Sequence, residues 1–153
     1  MQDLRALIQM ADHVLFSEPA LRSLVEFGTP EEALLKVASE LDAKVVGVTL
    51  GEHGSAIWQR DSSGGTVHRF ASPKITAVDT LNAGDVWHGT YAYGLVHGWD
   101  LGRIVRAASV AAAIKCESFG GKAGSPKLPE LLRRLQEWEQ ITTNSGGLER
   151  KLG

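Results

Sequence analysis

Hydrophobic positions along this chain change period as it proceeds. Leu4, Leu7, Ile8 and Ala11 recur at helical spacing, so residues 2–11 predict a helix with one buried face. A short apolar strand, His13 to Phe16, follows, and then "EPALRSLVEFG" reads as a brief helix closed by Gly28. Thr29, Pro30 and Glu32 stand at the N-cap, N1 and N3 positions of the next helix and form a capping box. Its expected apolar stripe is Leu34, Leu35, Ala38 and Leu41. "KVVGVTL" is β-branched and almost continuously apolar, the pattern of a strand buried on both faces in a parallel sheet. "SAIWQR" and "TVHRFA" predict two strands joined by the hairpin loop "DSSGG".

Helical spacing then dominates. Residues 83–97 predict a helix with Trp87, Tyr91 and Leu95 in line. Asp100 is placed to cap a further helix that faces inward through Leu101, Ile104, Val105, Ala108 and Ala112. After the glycine-rich loop "SFGGKAGSP", Pro129 opens a last helix with Leu131, Leu132, Leu135 and Trp138 on one side. Residues 139–153 are expected to be a polar tail without order. Alternating helices and strands imply an α/β layered fold with a mainly parallel sheet. The chain starts on a helix that leads into a strand, like a βαβ unit cut after its first strand. Either sequence is missing upstream, or another chain completes the sheet, or the fold simply begins with a helix.

Composition narrows the class. The 153 residues are 43% hydrophobic and 22% charged, which suits one globular domain. A net charge of −2 without a basic run disfavours nucleic acid. A single cysteine, Cys116, precludes an internal disulfide and suits a reducing cytoplasm. No apolar run is long enough to span a bilayer, so no membrane partner is expected.

The chemistry gathers at "AVDTLNAGDVWHGTYAYGL", residues 77–95. Here a turn of small residues, Leu81 to Gly84, runs into a helix whose first N–H groups lack internal partners. Those donors and the helix dipole favour an anion. Asn82 and Gly84 tolerate unusual backbone angles. Asp85, in the first helical turn, is placed to take a proton from an attacking hydroxyl while the amides of Asn82, Ala83 and Gly84 stabilise a phosphoryl group. The alternative is structural: Asp79 or Thr80 caps the helix, and Asp85 complements its dipole. The residues themselves leave both readings open.

"DTLNAGD" resembles the D-T-x-G-A-G-D signature of the PfkB (ribokinase-like) carbohydrate kinases, with Asn82 where glycine is usual. Ala83 resembles the sugar-kinase branch, since vitamin-kinase relatives tend to carry threonine there. "VVGVTLGEHGS" is similar to the family's strand and T-x-G-x-x-G turn, which implies that Thr49, Gly51 and Gly54 border the nucleotide phosphates. "AASVAAAIKCESFGGKAGSP" resembles the helix and loop that close the nucleotide site, which implies roles for Phe119, Gly120, Gly121, Ala123 and Gly124, together with Asp79 and Thr80. "LFSEPALRSL" looks like the region of the family's N-x-x-E for Mg²⁺ and phosphate. Ser17 and Ala20 occupy the Asn and Glu positions, and Glu18 is only adjacent, so no metal ligand is assigned.

The resemblance covers residues 1–138 and the C-terminal half of the family pattern. It implies a three-layer α/β/α ribokinase-like fold, incomplete at the N-terminus and without the β-lid. It implies ATP-dependent phosphorylation of a sugar hydroxyl, with Asp85 as base, residues 82–84 as anion hole, ATP and Mg²⁺, and room for a monovalent cation. A homodimer or a separate N-terminal half would complete the sugar site. The competing expectation is a truncated, non-catalytic nucleotide-binding or interaction module. His88, Cys116 and the aromatic trio Trp87, Tyr91 and Tyr93 read as packing residues. A G-x-x-x-x-G-K-S/T loop, a G-x-G-x-x-G turn after a strand and zinc-ligand spacing are all missing from the sequence.

Overall fold

The computed structural model describes residues 2–26, 28–144 and 149–152. They form two compact units, Met1–Phe70 with Arg150–Gly153, and Ala71–Glu149. The first unit contains helix α1 (Gln2–Gln9), strand β1 (His13–Ser17), helices α2 (Glu18–Leu24) and α3 (Pro30–Ser39), and strands β2 (Val45–Thr49), β3 (Ser55–Gln59) and β4 (Thr66–Phe70). With β5 (Glu149–Leu152) the sheet order is β1-β2-β3-β4-β5.

The expected parallel pairing holds between β1 and β2, in the register Val14 to Val46 and Phe16 to Val48. The pairings of β2 with β3 and of β3 with β4 are antiparallel, so the sheet is mixed. Their connections explain this. β2 and β3 are joined by a tight turn over Gly51–His53, and β3 and β4 by the predicted hairpin loop. Neither link is long enough for the crossover that parallel neighbours require.

β2 is buried at Val45, Val46, Gly47 and Val48, as its unbroken apolar run demands. The core around it joins Val14, Phe16, Leu21, Leu34, Val37, Val46, Val48 and Trp58. Complete burial of a side chain such as Leu34 or Val46 contributes about 1.5–3 kcal/mol. The capping box forms as read: Thr29 Oγ1 accepts from Glu32 N, and the Glu32 carboxylate accepts from Thr29 N at 3.0 Å.

Three local expectations need correction. Leu35 is 52% exposed, and Ala33, Leu34, Val37 and Ala38 make the buried stripe of α3 instead. Leu7 is 66% exposed, and α1 packs through Ile8. Helix α2 ends at Leu24 because Val25 turns extended at φ −141°, so Gly28 does not close it.

The second unit is helical: α4 (Ala83–Val96), α5 (Leu101–Cys116) and α6 (Leu128–Asn144), with a short 3-10 turn at Gly121–Gly124. Asp100 caps α5 by accepting from Arg103 N at 2.8 Å, as predicted. Ala107, Val110, Ala111, Ile114, Leu131 and Leu135 form the core between α5 and α6, with Val86, Trp99 and Trp138 around it. Trp87 stacks on Tyr91, and its Nε1 donates to buried Ser109 Oγ at 3.3 Å, which places these two aromatics in packing roles, whereas Tyr93 is half-buried and stacks on His97. Helix α6 runs to Asn144, past the expected end near residue 138, and residues 145–148 and 153 of the tail lie outside the described residues.

Two glycines of α4 make opposite predictions. A methyl group at Gly94 would sit 2.8 Å from Ile104 Cγ1 and 3.2 Å from the Trp99 ring. A methyl group at Gly89 would have nothing within 4 Å. Helix propensity favours alanine at both by roughly 1 kcal/mol, while overpacking costs about 1–3 kcal/mol. Gly94→Ala is therefore expected to destabilise the protein and Gly89→Ala to stabilise it by about 0.5–1 kcal/mol in equilibrium denaturation.

Candidate functional site

The segment before α4 has no strand ladder to hold it. Its position comes from the end of α5: Val78 N and Asp79 N both donate to the Cys116 carbonyl, at 2.8 and 3.2 Å. From there the Asp79 carboxylate ties two loops together. One oxygen accepts from Leu81 N at 2.9 Å, and the other accepts from Gly120 N at 3.1 Å and Gly121 N at 3.2 Å. Lys115, at the end of α5, is wholly buried; its ammonium lies 3.2 Å from the same Asp79 oxygen and donates to the Asp79 carbonyl at 2.6 Å. The amides of Leu81, Gly121 and Gly120, and then Lys115, hold the Asp79 carboxyl well below the usual carboxylate range.

The loop can meet Asp79 because of its glycines. Gly120 and Gly121 both have left-handed backbones, with φ of 111° and 56°. Two successive amides thereby turn towards one carboxylate oxygen. At Gly121 an added methyl would come within 3.3 Å of Asn82 Oδ1, so the loop also lies against the turn.

Asn82 is the N-cap residue of α4 and has φ 65°, the one positive φ outside glycine among the described residues. This accounts for the residue type, since asparagine tolerates the left-handed region better than other non-glycine residues. Its side chain does not cap the helix but donates from Nδ2 to Asp85 Oδ2 at 2.8 Å. Neither Asp79 nor Thr80 caps α4, so the expected capping role is corrected for both. The Thr80 carbonyl accepts from Ala83 N at 3.1 Å, and the Asn82 carbonyl accepts from Val86 N at 3.0 Å. Among the described residues the Gly84 and Asp85 amides have no backbone acceptor, and they open the helix N-terminus.

Asp85 is exposed. It borders a cleft of about 420 Å³, lined also by Asn82, Thr90, Tyr93 and Lys122. His88 turns elsewhere: its Nδ1–H donates to the Gly84 carbonyl at 2.7 Å, and its ring stands edge-on to Trp87. Cys116 is buried, and burial raises its thiol, in keeping with a packing role.

The second unit thus joins Asp79 to Gly120 and Gly121 by hydrogen bonds, closes the turn by the bond from Ala83 N to the Thr80 carbonyl, holds Asp85 through Asn82 and leaves the Gly84 amide open beside them. Ala123 and Gly124 continue the loop through its 3-10 turn, and Phe119 is 84% exposed. In the first unit, Thr49, Gly51 and Gly54 form a tight turn. Leu50 N donates to the Gly54 carbonyl at 2.8 Å, Thr49 Oγ1 donates to the Phe16 carbonyl, and Gly51 and Gly54 have positive φ. Gly51 has open space where a side chain would be.

Sequence reasoning missed Lys115 as a site residue. In "AAAIKCES" it reads as a cation in the last turn of a helix, and its partner is 36 residues away. The available signal was a lysine inside an apolar stripe. The described residues gather no cluster of three or more His, Cys, Asp or Glu that could hold a metal ion. Ser17 Oγ accepts from Ala20 N, and Glu18 pairs with Arg22 at 2.7 Å, so the sequence's departure from N-x-x-E is matched by local structural roles.

Comparison with known proteins gives this geometry its context. The pattern of the pfkB family carbohydrate kinases matches residues 1–128. The chain is 31% identical to a ribokinase of Lactococcus lactis over 133 residues, which is 87% of this chain and 41% of that protein. The crystal structure of a ribokinase from Thermotoga maritima aligns with a TM-score of 0.76 at 30% identity, covering 85% of this chain and 44% of the other. The Arabidopsis thaliana ribokinase complexed with ribose and ATP aligns at 0.75 and 27% identity, covering 85% of this chain and 42% of that one. The chain therefore spans less than half the length of the relatives it matches. The extent of the family match and the shared ribokinase-like fold place this chain in the pfkB family of carbohydrate kinases.

Proposed function

We propose that this chain supplies the nucleotide-binding and phosphoryl-transfer half of an ATP-dependent sugar kinase. One observation carries the reading: Asp85, at the open N-terminus of α4, has one carboxylate oxygen engaged by Asn82 and borders the cleft. The other oxygen is the one that takes the proton of the attacking hydroxyl. Because Ala83 N is engaged by the Thr80 carbonyl, the anion hole of residues 82–84 centres on Gly84, with the Asp85 amide beside it. The 119–124 loop, anchored through Asp79, borders the nucleotide.

ATP as phosphoryl donor accords with the relative crystallised with ATP and with another crystallised with ATP and Mg²⁺. Mg²⁺ would be carried on the nucleotide's phosphate oxygens, and no protein ligand is assigned to it. The sugar is not specified by likeness: relatives include a ribokinase, a 5-dehydro-2-deoxygluconokinase and a 6-phosphofructokinase. Residues that distinguish sugars belong in this reading to the half that the chain does not span, supplied upstream, by a second copy or by a separate chain. A cytoplasmic location fits the need for ATP, and no described helix is long and apolar enough to cross a membrane.

The partial span supports a second reading, a nucleotide-binding or interaction module without transfer activity. Titration of the chain with ATP, followed by a transfer assay on a panel of sugars, separates the two. Transfer supports the kinase, and ATP binding without transfer supports the module. Within the kinase reading, Asp85→Asn in the active full-length product is expected to lower turnover by roughly 10²–10⁴-fold with ATP affinity preserved. Near-normal turnover would remove Asp85 as the base.

Asn82→Gly keeps the left-handed turn but releases Asp85, whereas Asn82→Ala also strains the turn by about 1–2 kcal/mol. The glycine variant is expected to retain stability and lose part of kcat, and the alanine variant to lose both. Equal melting points for the two would contradict the left-handed turn.

A further inference from the structure

We infer that the Lys115 ammonium is the resident cation of the junction between the "DTLNAGD" turn and the 119–124 loop, which therefore holds its shape without a monovalent metal ion. The donor set carries the argument. Lys115 is 0% exposed, and its ammonium faces two oxygens of one residue, the Asp79 carbonyl at 2.6 Å and Asp79 Oδ2 at 3.2 Å. A monovalent metal ion at this place would need those same oxygens. Asp79 Oδ2 already accepts from Gly120 N and Gly121 N, and Oδ1 accepts from Leu81 N. The pfkB resemblance leaves room for a monovalent cation, but here the residues do not fit one. Its charge is supplied covalently, from the last turn of α5, where the helix dipole also favours a positive group.

A buried ammonium without partners would be costly. Here it is charge-assisted on both contacts, and it neutralises the carboxylate that gathers three backbone amides. Lys115 acts through Asp79 as a positioning residue. It fixes where Gly120 and Gly121 lie, and with them the loop beside Asn82.

The test is thermal unfolding of the protein in potassium, sodium, caesium and choline chlorides at equal ionic strength. The natural protein is expected to melt within about 1 °C in all four. Lys115→Ala is expected to melt lower by roughly 5 °C or more in choline and to recover in part with potassium, which fits the vacated oxygens. Lys115→Met, which fills the space with an apolar chain, is expected to show no such recovery.

Selective stabilisation of the natural protein by potassium over choline would overturn the inference. So would an alanine variant that melts like the natural protein in choline, or one that recovers with no small cation. If the alanine variant does not fold, Lys115→Gln replaces it in the same comparison, and the arm on the natural protein stands unaffected. A kinetic arm rests on the kinase reading: transfer by the natural protein should be unchanged when potassium is replaced by choline. The melting measurements decide the inference even where no transfer is found.

Discussion

One carboxylate holds together the turn before α4 and the loop after α5. Asp79 receives two amides from the loop after α5, one from its own turn, and the Lys115 ammonium. Besides it, the Cys116 carbonyl holds the segment at Val78 N and Asp79 N, but only the carboxylate binds the amides of the turn and of the loop together. The turn has no sheet to pair with, and the loop passes through two left-handed glycines that give it no helical continuity. A charged acceptor suits this task because hydrogen bonds to an ionised group are roughly twice as strong as neutral ones. The same contacts that hold its pKa down keep it ionised, and so able to accept from every donor aimed at it.

Asp79 and Asp85 bracket one short turn and are treated in opposite ways. Asp79 is largely enclosed, with 16% of its side chain exposed and both oxygens engaged. Asp85 is exposed and held by one donor from Asn82. A structural carboxylate gains from saturation, because every added donor fixes another strand of backbone. A base must retain an oxygen for a proton, so a single positioning hydrogen bond suits it better. The sequence pattern already sets Asp85 in the first helical turn and Asp79 ahead of the turn; their surroundings add to that difference of position.

This also marks how far the chain can be read without coordinates. Local signals were legible: the capping box at Thr29, the Asp100 cap, the hairpin around "DSSGG" and the buried run of β2 each depend on residues within a few positions of one another. Errors arose where a neighbour along the chain was not the neighbour in space. Gly28 looked like a helix stop, yet Val25 had already left the helix. Leu35 has the right residue type for the core but the wrong angle around α3. Lys115 needed knowledge of Asp79, which no periodicity links to it. The left-handed turn at residue 82 was foreshadowed by its residue type, but the bond from Asn82 to Asp85 was not.

That bond gives a physical reason for asparagine in place of the family's usual glycine. Glycine would occupy φ 65° without cost, whereas asparagine gives up part of that ease. In return its amide reaches Asp85 Oδ2 at 2.8 Å, a hydrogen bond to a charged group, worth about 1.5–3 kcal/mol where water is excluded and less at this exposed position. The two effects are of similar size, so asparagine need not cost the fold stability. What changes is the orientation of Asp85: a glycine turn leaves the carboxylate free to rotate, and Asn82 selects one rotamer at the open end of α4. The substitution therefore exchanges backbone ease for side-chain order at the residue proposed as the base, while the Gly84 and Asp85 amides remain available beside it.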